Sequence, residues 1–115
     1  MRYPVIGLGA LLTLVGCTSA SSRDLPPFVL QLIEKYESAP KANPPASIWR
    51  YKYKERIVFY VPPSCCDLPS ELYDFDGNFI CGPDGGLTGR GDGKCPDFFG
   101  QRAEELRVWS DPRAD

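Results

Sequence analysis

Residues 47–63, SIWRYKYKERIVFYVPP, carry a strong strand signal, because they are rich in aromatic and β-branched side chains that favour an extended backbone. Over the first half, aromatic residues alternate with basic ones: Trp49, Tyr51 and Tyr53 with Arg50, Lys52 and Lys54. A strand here would therefore have an aromatic face and a cationic face. Lys54 and Glu55 are expected near a turn into a second strand, Arg56 to Val61, and the stretch as a whole predicts a β-hairpin.

A second hairpin is predicted further along, in ELYDFDGNFIC, residues 71–81. Asp76 and Gly77 lie there between two apolar stretches, and an Asp-Gly pair in that position is a strong turn signal. From Gly82 to Gly93 the chain is rich in glycine and is expected to form a loop.

Helices are predicted on both sides of this β region. Before it, LPPFVLQLIEKYE places apolar residues on one side at helical spacing, with Asp24 as a candidate cap and two prolines in the first turn. The apolar residues are Leu25, Phe28, Val29, Leu32, Ile33 and Tyr36. Prolines 40, 44 and 45 end this helix. At the other end, DFFGQRAEELRVW places Phe99, Ala103, Leu106 and Trp109 at helical spacing, which favours a closing helix.

The predicted fold class is therefore α+β: an antiparallel sheet of about four strands with an N-terminal helix and a C-terminal helix. Residues 25–111 form a single small domain, at a size where a hydrophobic core alone stabilises only modestly.

The N-terminus resembles the signal peptide of bacterial lipoproteins. Arg2 precedes an apolar run, residues 5–15, that is shorter than the roughly 20 residues needed to span a bilayer. The residues LVGC, Leu14 to Cys17, resemble a lipobox, in which the cysteine is acylated and the preceding peptide is removed. The resemblance implies a signal peptide at residues 1–16 and a lipidated tether at residues 17–24. The alternative is an ordinary secretory signal, cleaved after a residue such as Ala20.

A lipid on Cys17 predicts a protein of the cell envelope whose first partner is the membrane itself. Two or three acyl chains anchor stably, whereas one chain anchors only marginally. Thr18 follows the cysteine, and in a Gram-negative cell a residue other than Asp there goes with the outer membrane, facing the periplasm or the surface.

Four further cysteines predict a disulfide framework: Cys65, Cys66, Cys81 and Cys95. An even number is typical of small exported domains, since the compartment is oxidising. Adjacent side chains in extended chain point apart, so Cys65 and Cys66 are each expected to pair with Cys81 or Cys95, in an order that stays open. The third pairing joins Cys65 to Cys66 and closes a strained ring.

Metal and redox chemistry have weaker support from these residues. The chain contains no histidine and no C-x-x-C pair, which argues against a zinc site and a thioredoxin-like site. Asp74, Asp76 and Asn78 match the opening of an EF-hand calcium loop, but Phe79 and Gly85 occupy positions that need glycine and glutamate. An irregular calcium site from Asp67, Asp84, Asp92 or Asp97 is the remaining option, against the simpler interpretation that these residues form turns.

The segment GLTGRGDGKC, residues 86–95, contains two incomplete motifs. As a P-loop it has Thr88 where glycine is needed and Cys95 where Ser or Thr would bind magnesium. The tripeptide Arg90-Gly91-Asp92 is read by some adhesion receptors, but it arises easily by chance in a glycine-rich loop. The cationic strand face is interpreted as solvated, or as a contact for anionic headgroups or polysaccharide. An acidic, exported chain is not expected to bind nucleic acid.

The most distinctive stretch of the sequence is VPPSCCDLPSELYDFDGNFICGPDGGLTGRGDGKCPDF. On these residues the chain, from about Ser47 to Phe98, resembles a family of small bacterial lipoproteins and secreted proteins defined only as a domain of unknown function. The resemblance implies export and a cysteine-linked core, and it brings no activity. We therefore expect a non-enzymatic binding or structural domain without a cofactor, whose partner is an envelope protein or polysaccharide. The alternative is a calcium-binding or thiol-redox envelope protein.

Overall fold

A computed structural model describes residues 25–64 and 67–113. Within these residues the chain forms an antiparallel five-stranded sheet with the order β4-β3-β2-β1-β5. The elements are α1 (Pro27–Ser38), β1 (Ser47–Tyr53), β2 (Arg56–Val61), β3 (Glu71–Asp74), β4 (Phe79–Cys81), α2 (Phe98–Gln101) and β5 (Ala103–Ser110). The α+β class is confirmed, and the sheet has one strand more than predicted.

The hairpin of β1 and β2 lies at the centre of the sheet. Tyr53 pairs with Arg56, and the two residues between them have positive φ angles, 52° at Lys54 and 65° at Glu55. Both central residues of a type I′ turn need a positive φ, and that turn matches the twist of the flanking strands. The predicted turn position is confirmed.

Helix α1 covers one face of the sheet with the apolar residues predicted from its periodicity. Its side chains pack around a core of Val29, Ile48, Phe59 and Val61. Phe28 contacts Phe59 at the helix start, and Tyr36 stacks on Trp109 near its end. Pro26 occupies the N-cap position without a side-chain hydrogen bond, so the helix begins later than a cap at Asp24 would place it, and Asp24 lies outside the described residues.

The opposite face is covered by the chain between β4 and β5. Its buried cluster contains the predicted aromatic residues of β1 and the start of α2, with the members Tyr51, Tyr53, Val58, Tyr60, Leu72, Cys81, Cys95 and Phe98. Trp49 packs against this cluster, so the aromatic face of β1 is confirmed. The centre of the sheet is thus buried on both sides, by a helix on one and by a loop on the other, while much of β5 is exposed.

The predicted closing helix is confirmed only as the short helix α2, and most of its segment forms a strand instead. Only Phe98–Gln101 is helical, and Ala103–Ser110 forms an edge strand that pairs with β1. Two register shifts and a positive φ of 56° at Glu104 fit this strand to its neighbour. Helix propensity is a weak preference that tertiary pairing overrides, and here the ladder to β1 satisfies the backbone of a segment with good helix formers.

None of the helices in the described part of the chain is long and apolar enough to cross a bilayer.

Candidate functional site

Tyrosine hydroxyls on the loop-covered face each donate a hydrogen bond to a carboxylate on another element. The donor and acceptor oxygens lie 2.8 Å apart for Tyr51 and Glu105, 2.6 Å for Tyr53 and Asp97, and 2.8 Å for Tyr60 and Asp84. These contacts tie the central hairpin to β5, to the residue preceding α2 and to the glycine-rich loop. They show how the loop side of the domain is held in place.

The same contacts move the pKa values of the groups away from neutrality. Burial and the hydrogen bond to Glu105 raise the pKa of Tyr51 to about 12, and burial with the bond to Asp84 raises that of Tyr60. The hydrogen bond from Tyr53 lowers the pKa of Asp97. Among the described residues, each resolved shift leaves a tyrosine more firmly neutral, a carboxylate more firmly ionised or a cation more firmly charged.

Beside these contacts lies a partly exposed surface that we name the aromatic–arginine face: Trp49, Phe99, Arg102 and Arg107. The guanidinium of Arg102 lies over two rings, 5.0 Å from the centre of Tyr51 and 4.7 Å from that of Phe99. Its Nη1 also donates to the hydroxyl of Tyr51 at 3.3 Å. Arg107 lies 5.9 Å from the ring centre of Trp49, and 40% of Phe99 is exposed. Aromatic rings and guanidinium groups together suit a ligand with flat apolar faces and anionic or hydroxyl groups.

A polar cleft of about 340 Å³ lies where the β1–β2 turn approaches the start of β5. Lys54 reaches Asp97 at 3.6 Å, and Lys52 reaches Glu55 at 3.7 Å and Glu104 at 4.0 Å. These side chains are largely exposed, so the ion pairs contribute little to stability. The opposite charges of these lysines and carboxylates nevertheless neutralise one another within the cleft.

The predicted cationic strand face is therefore not continuous. Lys52 and Lys54 lie among carboxylates in the cleft, while Arg50 is half-buried and its Nε has no hydrogen-bond partner. Arg56 is exposed and contributes to lowering the pKa of Asp74. The sequence alternation correctly placed Arg50 and Lys52 on β1, whereas Lys54 lies in the turn that follows. It did not show which acidic residues would face these cations.

The expected disulfide pairing is wrong. Cys81, at the end of β4, is bonded to Cys95, which follows the glycine-rich loop, so neither is available to Cys65 or Cys66. Both cysteines belong to the buried cluster on the loop-covered face, where the folded loop brings its end back to the strand from which it starts. Cys65, Cys66 and the proposed lipidation site Cys17 lie outside the described residues.

The weak calcium candidates Asp74, Asp76 and Asn78 form the tip of the second hairpin. Asp74 Oδ1 accepts the backbone N–H groups of Asp76 and Asn78, both at 2.9 Å, and Oδ2 accepts the Asn78 amide at 3.1 Å. Backbone donation from Asn78 is the main cause of the lowered pKa of Asp74. The structure brings the three residues together as a turn. The Asp74 carboxylate accepts hydrogen bonds from backbone N–H groups of that turn.

Asp92, the third residue of the adhesion-like tripeptide, is likewise engaged within the loop. Its carboxylate accepts the backbone N–H groups of Gly82 and Lys94, each at 2.9 Å. Asp84 accepts from Tyr60, and Asp97 accepts from Tyr53. Across residues 25–64 and 67–113 no three His, Cys, Asp or Glu residues are grouped so that they would hold a metal ion.

The model of one protein family, described as a domain of unknown function (DUF6970), matches residues 34–111. Comparison with curated proteins and with solved structures finds no match.

Proposed function

Since the chain belongs to the DUF6970 family, we propose that it is a lipid-anchored protein of the bacterial cell envelope whose domain acts by binding and not by catalysis. The observation that supports binding is the aromatic–arginine face, where Phe99 is 40% exposed and Arg107 lies 5.9 Å from the ring centre of Trp49. A general acid or base works best with a pKa near the ambient pH, whereas burial and mutual hydrogen bonds move the pKa values of the tyrosines and carboxylates here away from neutrality. These tyrosines and carboxylates stabilise the fold.

The proposed contact surface is the aromatic–arginine face, and the proposed partner is an envelope polysaccharide. Phe99 offers exposed ring surface for a sugar ring, and Trp49 beside it is half-buried beneath Arg107. The guanidinium of Arg107 carries several N–H donors for carboxylate or hydroxyl groups. The tyrosine contacts beneath keep this surface in one geometry, so little conformational freedom is lost when a ligand binds. An envelope protein is the other partner that this surface would suit.

The anchor is tested by the intact mass of the protein purified from envelopes. We expect a chain that begins at Cys17 and carries the added mass of two or three acyl chains. A Cys17→Ala variant is the control, and it should lose both the added mass and the membrane association. A wild-type chain that begins after Ala20 and carries no added mass would show that the signal is an ordinary secretory one.

The contact surface is tested by co-sedimentation with isolated, insoluble envelope polysaccharide. Arg107→Gln is expected to weaken binding by about tenfold, which corresponds to about 1.4 kcal/mol. Arg90→Gln is the matched control, because Arg90 is an exposed arginine in the glycine-rich loop. Equal losses in the two variants would mean that net charge binds the polymer, and wild-type protein that stays in the supernatant would remove polysaccharide as the partner.

A thiol-redox role is the second candidate, and the Cys81–Cys95 bond supports it. That bond occupies Cys81 and Cys95, which were the expected partners of the adjacent cysteines Cys65 and Cys66, called the doublet below. If Cys17 is acylated, the chain offers Cys65 and Cys66 only each other. Alkylation of the native protein across a series of glutathione potentials tests this role. It requires the doublet to change state reversibly while Cys81 and Cys95 stay joined, and a doublet insensitive to glutathione would exclude it.

A further inference from the structure

An apolar patch surrounds the point at which the described chain begins. Phe28 in the first turn of α1 lies against the tip of the second hairpin, where its ring contacts Tyr73 with the ring centres 5.4 Å apart. A Cβ added at Gly77 would touch the Phe28 ring at 3.0 Å, so helix and turn are in direct contact. The patch is defined here as Phe28, Tyr73, Phe75 and Phe79, and is called the hairpin-tip patch.

Two phenylalanines of this patch are open to solvent. Phe75 is 46% exposed and Phe79 is 53% exposed, on either side of the Asp76–Gly77 turn. Phe79 packs on Tyr73 and Phe75 packs on Phe59, so both rings lie on the helix-covered side of the sheet. Between the helix start and Phe75 lies a depression of about 300 Å³, whose lining is apolar at Pro26, Pro27, Phe28 and Phe75 and polar at Gln31 and Asp76. Neighbouring exposed aromatic rings of this kind can form a contact site, and here they lie beside the start of the described chain.

The sequence between Cys17 and Leu25 also limits what can cover the hairpin-tip patch. Seven residues, TSASSRD, separate Cys17 from Leu25, and they contain no apolar side chain larger than alanine. They therefore cannot bury three phenylalanine rings themselves. Fully extended, this tether spans at most about 29 Å, so an acylated Cys17 would hold the helix start close to the lipid surface.

We propose that the hairpin-tip patch rests on the phospholipid bilayer and inserts Phe75 and Phe79 at the boundary between headgroups and acyl chains. This inference depends on the lipid anchor in the proposed function and extends it. The anchor brings the bilayer to the patch, and the exposed rings then orient the domain. Aromatic and apolar side chains beside a lipid anchor add buried apolar area to the membrane contact. The glycine-rich loop leaves the opposite end of the second hairpin and faces away from the membrane.

The test uses the full acylated protein, purified from membranes and placed in phosphatidylcholine vesicles whose acyl chains carry bromine, a quencher of tryptophan fluorescence. Phe75→Trp and Phe79→Trp report on the patch. Leu87→Trp is the matched control, since Leu87 lies in the glycine-rich loop and is 87% exposed. Trp49 and Trp109 contribute the same background to all three variants. We expect bromine to quench the added signal at least twofold more at positions 75 and 79 than at position 87.

The possible outcomes distinguish the membrane contact of the hairpin-tip patch from the lipid anchor on which it depends. Protein that is acylated and floats with the vesicles, but shows equal quenching at the three positions, overturns the inference and leaves the anchor intact. Protein without acyl chains that does not float overturns both. A blue-shifted signal at position 75 without bromine quenching would mean that protein covers the patch, and it also overturns the inference.

Discussion

The hydroxyl of Tyr60 donates a 2.8 Å hydrogen bond to Oδ1 of Asp84, and this contact joins the middle of the sheet to the glycine-rich loop. Tyr60 is buried, and Asp84 is itself held by Ser70, whose hydroxyl accepts the Asp84 backbone N–H at 3.0 Å. Ser70 also donates its backbone N–H to the Asp84 carbonyl at 2.9 Å. The loop is therefore fixed at one point by side chain and backbone together.

Replacing Tyr60 with Phe should lower the free energy of unfolding by about 1.5 to 3 kcal/mol, the range for a hydrogen bond to a charged group whose partner is left behind. Tyr73→Phe is the matched control. Tyr73 donates to Glu71 at 2.7 Å, but the two residues lie in the same strand and their bond joins no separate elements. Chemical denaturation of both variants measures the difference. Equal losses would contradict a special role for the contact between Tyr60 and the loop.

Gly91 is expected to be one of the least replaceable positions in the loop. It has a φ of +68°, and a Cβ added there would overlap the carbonyl oxygen of Gly82. Gly91→Ala should therefore destabilise the domain by more than about 4 kcal/mol, since it adds a steric overlap to backbone strain. Gly89 has a φ of +78° with nothing within 4 Å of its added Cβ, so Gly89→Ala should cost only about 1 to 2 kcal/mol. Thermal unfolding of the pair tests whether close packing or φ alone requires glycine at position 91.

The parts of the fold that could be predicted depend on local patterns. The apolar face of α1 and the two hairpin turns follow from spacing and turn chemistry within a few residues, and the structure confirms them. β5 was missed because AEELR favours a helix in isolation, and only the ladder to β1 makes it a strand.

The candidate site was less predictable because its partners are distant in sequence. Tyr51 and Glu105 are 54 residues apart, and Tyr53 and Asp97 are 44 apart. The alternation in β1 placed both tyrosines on one face, but no local signal identifies the carboxylates they meet. The pairing of Cys81 with Cys95 was hard to predict for the same reason, since it depends on how the glycine-rich loop folds back over the sheet.

Peptide mapping without reductant should find the fragment containing Cys81 joined to that containing Cys95. Digestion must cleave at acidic residues between positions 67 and 76 as well as after Arg90, so that the doublet is separated from both cysteines. The two bonded cysteines are 14 residues apart, and replacing both with serine should cost about 3 kcal/mol by the chain-entropy model.

The matched control replaces Cys65 and Cys66 with serine, and in that variant the Cys81–Cys95 fragment should be unchanged. A fragment that joins Cys65 or Cys66 to Cys81 or Cys95 in the wild-type protein would contradict the pairing described here.

Acid should weaken the domain in part through Asp111, which is only 8% exposed. Its carboxylate accepts from Arg113 Nη2 at 2.7 Å, and Arg113 in turn donates to the carbonyls of Tyr36 and Ala39 at the end of α1. The hydrogen bonds from Arg113 lower the pKa of Asp111 from 3.8 to about 2. A lowered folded-state pKa stabilises the fold above the unfolded value, and that stabilisation is lost as the pH falls through the folded value.

Asp111→Asn should therefore be less stable than the wild type at pH 6, and the difference should shrink as the pH is lowered from about 4 to about 2, where the wild-type carboxylate also becomes neutral. Urea unfolding of both proteins at matched pH values measures this difference directly, and the other acidic groups cancel because both chains contain them. Asp76→Asn is the control, because the Asp76 side chain is exposed at the hairpin tip and its difference from the wild type should stay small throughout. A difference for Asp111→Asn that is the same at pH 6 and pH 2 would mean that the shape of the side chain, and not its charge, holds the C-terminal segment to α1.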